Sequence, residues 1–172
     1  MADKAIAVEQ GFAPLLGHFP DTLILGSMPS VKSLEHQQYY AHPRNAFWPI
    51  MANLLGFDAT LSYERRCDLL KQHNIAVWDV LKACQREGSL DQNIHNDSLV
   101  LNDFEKFLHT HSSIKRLFFN GCKAEVVFKK VLPSIDPSLL TFSMQQLPST
   151  SPAHAAMTFE QKLTAWHTAL LT

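Results

Sequence analysis

Residues 25 to 48 read LGSMPSVKSLEHQQYYAHPRNAFW, between a short apolar run and a periodic apolar stretch. A connecting loop needs few polar or aromatic groups, so their density here is the first clue to chemistry. Gly26, directly after the apolar run, permits a sharp turn and close backbone approach, so the amides of Ser27, Met28 and Ser30 can face an anion or a polar ligand. Tyr39 and Tyr40 can stack on a planar ligand or pack half-buried. Arg44 carries the bidentate fork that suits phosphate. His42 can bond a phosphate or order the turn, and Asn45 sits where a helix N-cap belongs or where a carboxamide can face a ligand. A second polar stretch, LPSTSPAH at 147 to 154, sets Ser149, Thr150 and Ser151 between Pro148 and Pro152. Its short hydroxyls and amides can hold a phosphate with no net charge. Nine histidines occur without an HExxH pair or a Cys-His spacing, so no metal site is expected.

The elements that must position these groups follow from the rest of the chain. At 172 residues and 46% hydrophobic, the chain suits one compact domain with a sizeable core. Fifteen basic against sixteen acidic residues exclude the broadly cationic surface of nonspecific nucleic-acid binders, so any polyanion site must be local. Cys67, Cys84 and Cys122 are odd in number and widely spaced, which suits reduced, mostly buried thiols. The start, MADKAIAVEQGF, has no apolar core behind a basic head, and no run approaches the roughly 20 apolar residues that span a bilayer. A cytoplasmic protein is expected.

Four apolar runs read as strands: 22 to 27, 75 to 81, 116 to 121 and 140 to 147. Phe47, Ile50, Met51, Leu54 and Leu55 keep helical spacing, with Gly56 where the helix should stop. Ser62 opens a second helix bearing Tyr63, Cys67 and Leu70 on one face. Asn102 with Glu105, and Thr158 with Gln161, look like capping boxes; the latter precedes a stripe of Phe159, Leu163, Trp166 and Leu170. Residues 84 to 98 are polar and read as a surface loop. Strands alternating with helices predict a three-layer α/β/α sandwich with a four-stranded, mainly parallel sheet. Ligands of such sheets gather at the carboxyl ends of the strands, where GSMPS, WDVL, FNGCK and LPSTSPAH lie.

GSMPS followed by QYYAHPRNAFW resembles the first motif of the uracil-DNA glycosylase superfamily, most closely its hypoxanthine-DNA (deoxyinosine) glycosylase branch. YAHPRNAFW is also similar to the corresponding stretch of mismatch-specific uracil glycosylases, and LPSTSPAH is similar to the second superfamily motif. The resemblance implies a monomeric, cofactor-free, monofunctional hydrolase acting on DNA that contains a deaminated base. It implies catalysis by Asn45, whose amide oxygen orients water or whose NH2 steadies the departing base. Other branches carry an Asp or Asn where this chain has Met28, and a histidine where it has Leu147. Gly26, Ser27, Met28, Tyr40, Phe47 and Asp79 are implied around the base, with Tyr40 stacking on it. Ser30, His42, Arg44, Lys123, Ser149, Thr150 and Ser151 are implied along the DNA backbone.

The implied chemistry is self-consistent. Breaking a deoxyribosyl N-glycosidic bond leaves negative charge on the base, which fixed dipoles can stabilise without a metal or a strong nucleophile. Flipping costs least at a damaged pair. A carboxylate at Asp79 accepts from the ring N–H of hypoxanthine or uracil and repels the bare ring nitrogen of adenine or cytosine; the residue can equally cap or pair locally. Two rival classes remain: a hydrolase with Ser27 as nucleophile and His154 as base, without a GxSxG elbow, and a nucleic-acid binding module that lacks the chemistry.

Overall fold

The computed structural model of the chain describes residues 6–172. Strand β1 (Val8–Gln10) leads to β2 (Thr22–Gly26), then helices α1 (Val31–His36), α2 (Phe47–Leu55) and α3 (Tyr63–Gln72). Strands β3 (Ile75–Asp79), β4 (Leu81–Gln85) and β5 (Val100–Leu101) follow, and then α4 (Phe104–Thr110), β6 (Arg116–Asn120), α5 (Cys122–Val131), β7 (Ser143–Leu147) and α6 (Phe159–Leu171). The main sheet has the order β3-β2-β6-β7, and every pair in it is parallel.

Alternation along the buried strands sorts the core into two layers. Leu23, Leu25, Trp78, Leu117 and Phe119 point to one face, against Phe104 and Phe107 of α4 and Val127 and Phe128 of α5. Ile24, Val77 and Phe118 point to the other, against Phe47, Ile50 and Met51 of α2, Leu70 of α3 and Trp166 of α6. Each fully buried side chain of this size contributes about 1.5–3 kcal/mol. The predicted three layers and four strands are therefore present. The chain leaves β2 toward the second face and β6 toward the first. Neighbouring strands whose connections part in this way open a crevice at their carboxyl ends.

The helix signals hold in detail. Gly56 closes α2 at φ 72°, a left-handed conformation that favours glycine. Ser62 caps α3, and the Thr158–Gln161 capping box is complete. Two expectations need correction. Asp103, not Asn102, caps α4; the Asn102 amide instead donates to the Asp79 carbonyl at 2.8 Å. On α6 the buried face is Lys162, Trp166 and Leu170, while Phe159 is exposed. The thiols are free, as expected, but Cys122 is exposed.

The polar segment 84–98 is more than a surface loop. It begins inside β4, which pairs antiparallel with β1 and β5 in a second, three-stranded sheet. Arg86, 3% exposed, then fastens three segments together. Its guanidinium donates to Glu9 of β1 at 2.7 Å, to the Pro29 carbonyl at 2.5 Å and to the Ser89 carbonyl at 3.5 Å. No helix of the described residues is long and apolar enough to cross a membrane.

Candidate active site

A cavity of about 290 Å3 opens at the carboxyl ends of β2, β3 and β6. Its walls are residues 26–30, Ser33, the two tyrosines, Asn45, Asp79, the turn 89–92, Asn120 and the 149–154 loop. Gly26 is required by close approach. A Cβ there would lie 2.4 Å from Asp79 Oδ1 and 3.2 Å from Tyr40 Oη, inside the contact distance of real side chains. Gly26→Ala is expected to push both groups off the cavity floor and to destabilise the fold by about 1–3 kcal/mol. Urea denaturation with an unchanged midpoint would contradict this packing.

Tyr39 and Tyr40 divide their tasks. Tyr39 is buried, donates its hydroxyl to the Ala13 carbonyl at 2.7 Å and accepts at its own carbonyl from Trp48 Nε1 at 2.9 Å. It anchors the loop. Tyr40 turns toward the cavity at φ 56°, a rare conformation for an aromatic residue and of the kind that collects at functional sites. One face of its ring stacks on Phe47 at 4.1 Å between centroids. Phe47 itself is 0% exposed and lies outside the cavity lining, where it backs the Tyr40 ring.

Asn45 has two functions to reconcile. Its Oδ1 accepts from the Phe47 N–H at 2.9 Å, securing the start of α2 although Ala46 holds the formal cap position. Among the described residues its NH2 has no protein partner, and the residue lines the cavity. Capping therefore occupies the oxygen and leaves the amide donors available.

Asp79 is 4% exposed, and its Oδ2 has no partner. Burial, reinforced by Asp91 and opposed by Arg86, pushes its carboxyl up to about 7. Asp91 was not legible as a site residue. It lies in the polar turn that the small sheet and Arg86 bring to the cavity, and there it accepts from Ser27 Oγ at 2.6 Å. Burial raises its pKa as well. Because Ser27 is 7% exposed and donates its hydroxyl to a carboxylate, the nucleophilic reading loses its geometry, although His154 does reach the cavity wall.

Asn120 is a second site residue without a signal of its own in the sequence, beyond its place in the strand end FNGCK. Its amide and Thr150 exchange two hydrogen bonds of 2.9 Å, and the Thr150 carbonyl accepts from the Ala46 N–H at 2.9 Å. Thr150, 1% exposed, is thus a strut that joins the second loop to both β6 and the Asn45 segment. The loop is also held from beneath: the buried Lys162 donates to the Ser151 carbonyl, and Trp166 Nε1 donates to that of Pro148. Ser149 and Ser151 accept from backbone N–H groups two residues on and keep their own protons to donate.

The remaining predicted residues scatter. Ser30 lines the cavity and also caps α1 through the Ser33 N–H. His42 and Arg44 lie outside the lining, where His42 Nδ1 accepts from the Arg44 N–H at 3.1 Å, an ordering contact within the turn. Lys123 reaches Asn96 at 3.4 Å, behind the Asp91 wall.

No family model matches the chain. It is 37% identical over 117 residues to the hypoxanthine DNA glycosylase of Methanosarcina barkeri, a match spanning 67% of this chain and 73% of that protein. The hypoxanthine DNA glycosylase of Methanosarcina acetivorans is 37% identical over 118 residues, spanning 68% and 73%. Among solved structures, the solution NMR structure of a candidate uracil DNA glycosylase from Methanosarcina acetivorans superposes with a TM-score of 0.76 at 30% identity, covering 94% of this chain and 98% of that one. With the two motifs meeting at one cavity across the crevice of the sheet, these likenesses agree: the chain is a DNA glycosylase of the hypoxanthine branch of the uracil-DNA glycosylase superfamily.

Proposed function

We propose that the enzyme hydrolyses the N-glycosidic bond of a deaminated base in DNA, hypoxanthine first and uracil second, and leaves an abasic site. The observation that carries the reading is that Asn45 lines one cavity together with Asp79, whose buried Oδ2 has no partner. An extruded base slides against the Tyr40 ring, where stacking contributes about 1–3 kcal/mol. Asp79 accepts the ring N–H, and the donors of Asn45 meet the charge that develops on the departing base. Ser149 and Ser151 hold the adjoining phosphates, and Arg44 follows the backbone farther out. The reaction stops at base release, because Lys162, the one lysine buried behind the cavity walls among the described residues, is committed to the Ser151 carbonyl. On this reading the enzyme is a monomer that acts on DNA in the cytoplasm.

A panel of duplexes, each with a single deoxyinosine, deoxyuridine, deoxyxanthosine or undamaged nucleotide, tests this directly. Free hypoxanthine is expected to dominate by mass spectrometry, followed by uracil, with alkali-sensitive sites at the same positions. Binding to the deoxyinosine duplex with no free base from any member would leave only the binding-module reading.

A further inference from the structure

We propose that Tyr40 reads the extruded base as well as covering it: its hydroxyl donates to the carbonyl of a lactam edge while Asp79 accepts the neighbouring ring N–H. The inference rests on the glycosylase reading above and extends it to the tyrosine hydroxyl.

Among the described residues, four buried side-chain polar atoms lack a partner: Tyr40 Oη, Asp79 Oδ2, and the Nε atoms of Arg66 and Arg86. The two guanidinium groups are otherwise engaged, Arg66 over the Trp48 ring at 4.6 Å and Arg86 in its three hydrogen bonds. That leaves one hydroxyl and one carboxyl oxygen, each buried on a residue that lines the same cavity. They are neighbours, because a single Cβ built on Gly26 would meet both side chains at once. Buried polar groups are nearly always paired, and an unpaired one costs its full desolvation. A phenylalanine at 40 would stack on Phe47 equally well and leave nothing unpaired. The hydroxyl is therefore a liability in the empty protein and an asset only with a ligand present.

The pair consists of one donor beside one acceptor. Hypoxanthine and uracil each present a carbonyl beside a ring N–H, so both contacts form. Adenine and cytosine, from which these bases derive, present an amino group beside an unprotonated nitrogen, so the carboxylate meets an acceptor and the hydroxyl must turn round to accept instead of donating. Guanine shares the lactam edge, and the pair is silent about it. Burial and the nearby carboxyls of Asp79 and Asp91 raise the Tyr40 pKa, outweighing the neighbouring Asn120 amide that lowers it, and this keeps the proton in place as a donor.

Tyr40→Phe keeps the ring and its stack and removes only the hydroxyl. The measurement is the single-turnover rate of base release from duplexes carrying hypoxanthine or unsubstituted purine, which has neither the carbonyl nor the ring N–H. The hypoxanthine-to-purine ratio is expected to fall by about tenfold in the variant. A second reading uses product inhibition of the wild-type enzyme: free hypoxanthine should inhibit at least about tenfold more tightly than free purine, and the difference should shrink in the variant. A variant that folds normally by thermal melting and keeps the wild-type ratio overturns the role of the hydroxyl and leaves the glycosylase reading intact. No base release by the wild-type enzyme from any duplex overturns both.

Discussion

Asn45→Ala is expected to lower the single-turnover rate of hypoxanthine release by roughly 10²–10³-fold, since removal of one preorganised donor from a developing anion has effects of that size. The same substitution removes the Phe47 N–H partner, so the fold should lose about 1 kcal/mol, as other helix-start contacts do. Asn45→Asp separates the two effects. An aspartate at 45 retains an oxygen for the Phe47 amide and keeps the stability, while it replaces the NH2 donors with negative charge exactly where the base becomes anionic. The rate should therefore collapse in Asn45→Asp with a melting temperature close to wild type. A variant that melts normally and releases base at the wild-type rate would remove Asn45 from the chemistry.

A second large effect lies in the pH dependence of stability. The Asp79 carboxyl is held at about 7 in the folded protein against an ordinary value of 3.8. Between these values the folded state binds more protons than the unfolded chain, so stability falls as pH rises from about 4 to about 7 and levels off above. At about 1.4 kcal/mol per pH unit, the span amounts to about 4 kcal/mol as an upper bound. Asp79→Asn is expected to flatten this slope in urea denaturation series between pH 4 and pH 8, and to weaken discrimination against adenine. An unaltered slope would mean that the carboxyl is solvated. Selectivity and stability thus oppose each other at this residue: the oxygen that accepts from the base is the one the folded protein leaves unpaired.

Much of the frame was written in patterns that survive translation into three dimensions. The apolar runs at 22, 75 and 116 are strands because a parallel sheet covered on both faces needs continuous hydrophobicity, whereas the run at 140 yields only the mostly exposed edge strand from Ser143; α2 announced both its stripe and its glycine stop. The small sheet had no such signature. β5 has two residues, β1 alternates between exposed and half-buried, and β4 follows β3 after the single residue Val80, so neither length nor period marks them. Site residues at the two motifs were legible from resemblance. Asp91 and Asn120 were not, because their roles come from tertiary placement: one enters the cavity through the fold of a polar turn, the other through exchange with Thr150. Phe47 shows the limit of motif reading: the structure puts it beneath the Tyr40 ring and outside the cavity lining.

The buried guanidinium of Arg86 ties remote parts of the chain into one mechanical unit. Glu9, Pro29 and Ser89 belong to different turns of the fold, yet one cation neutralises or saturates an oxygen from each. The rim bearing Asp91 consequently draws its rigidity from a strand far upstream, and shortening the polypeptide past Glu9 would loosen the specificity wall before it disturbed the central sheet.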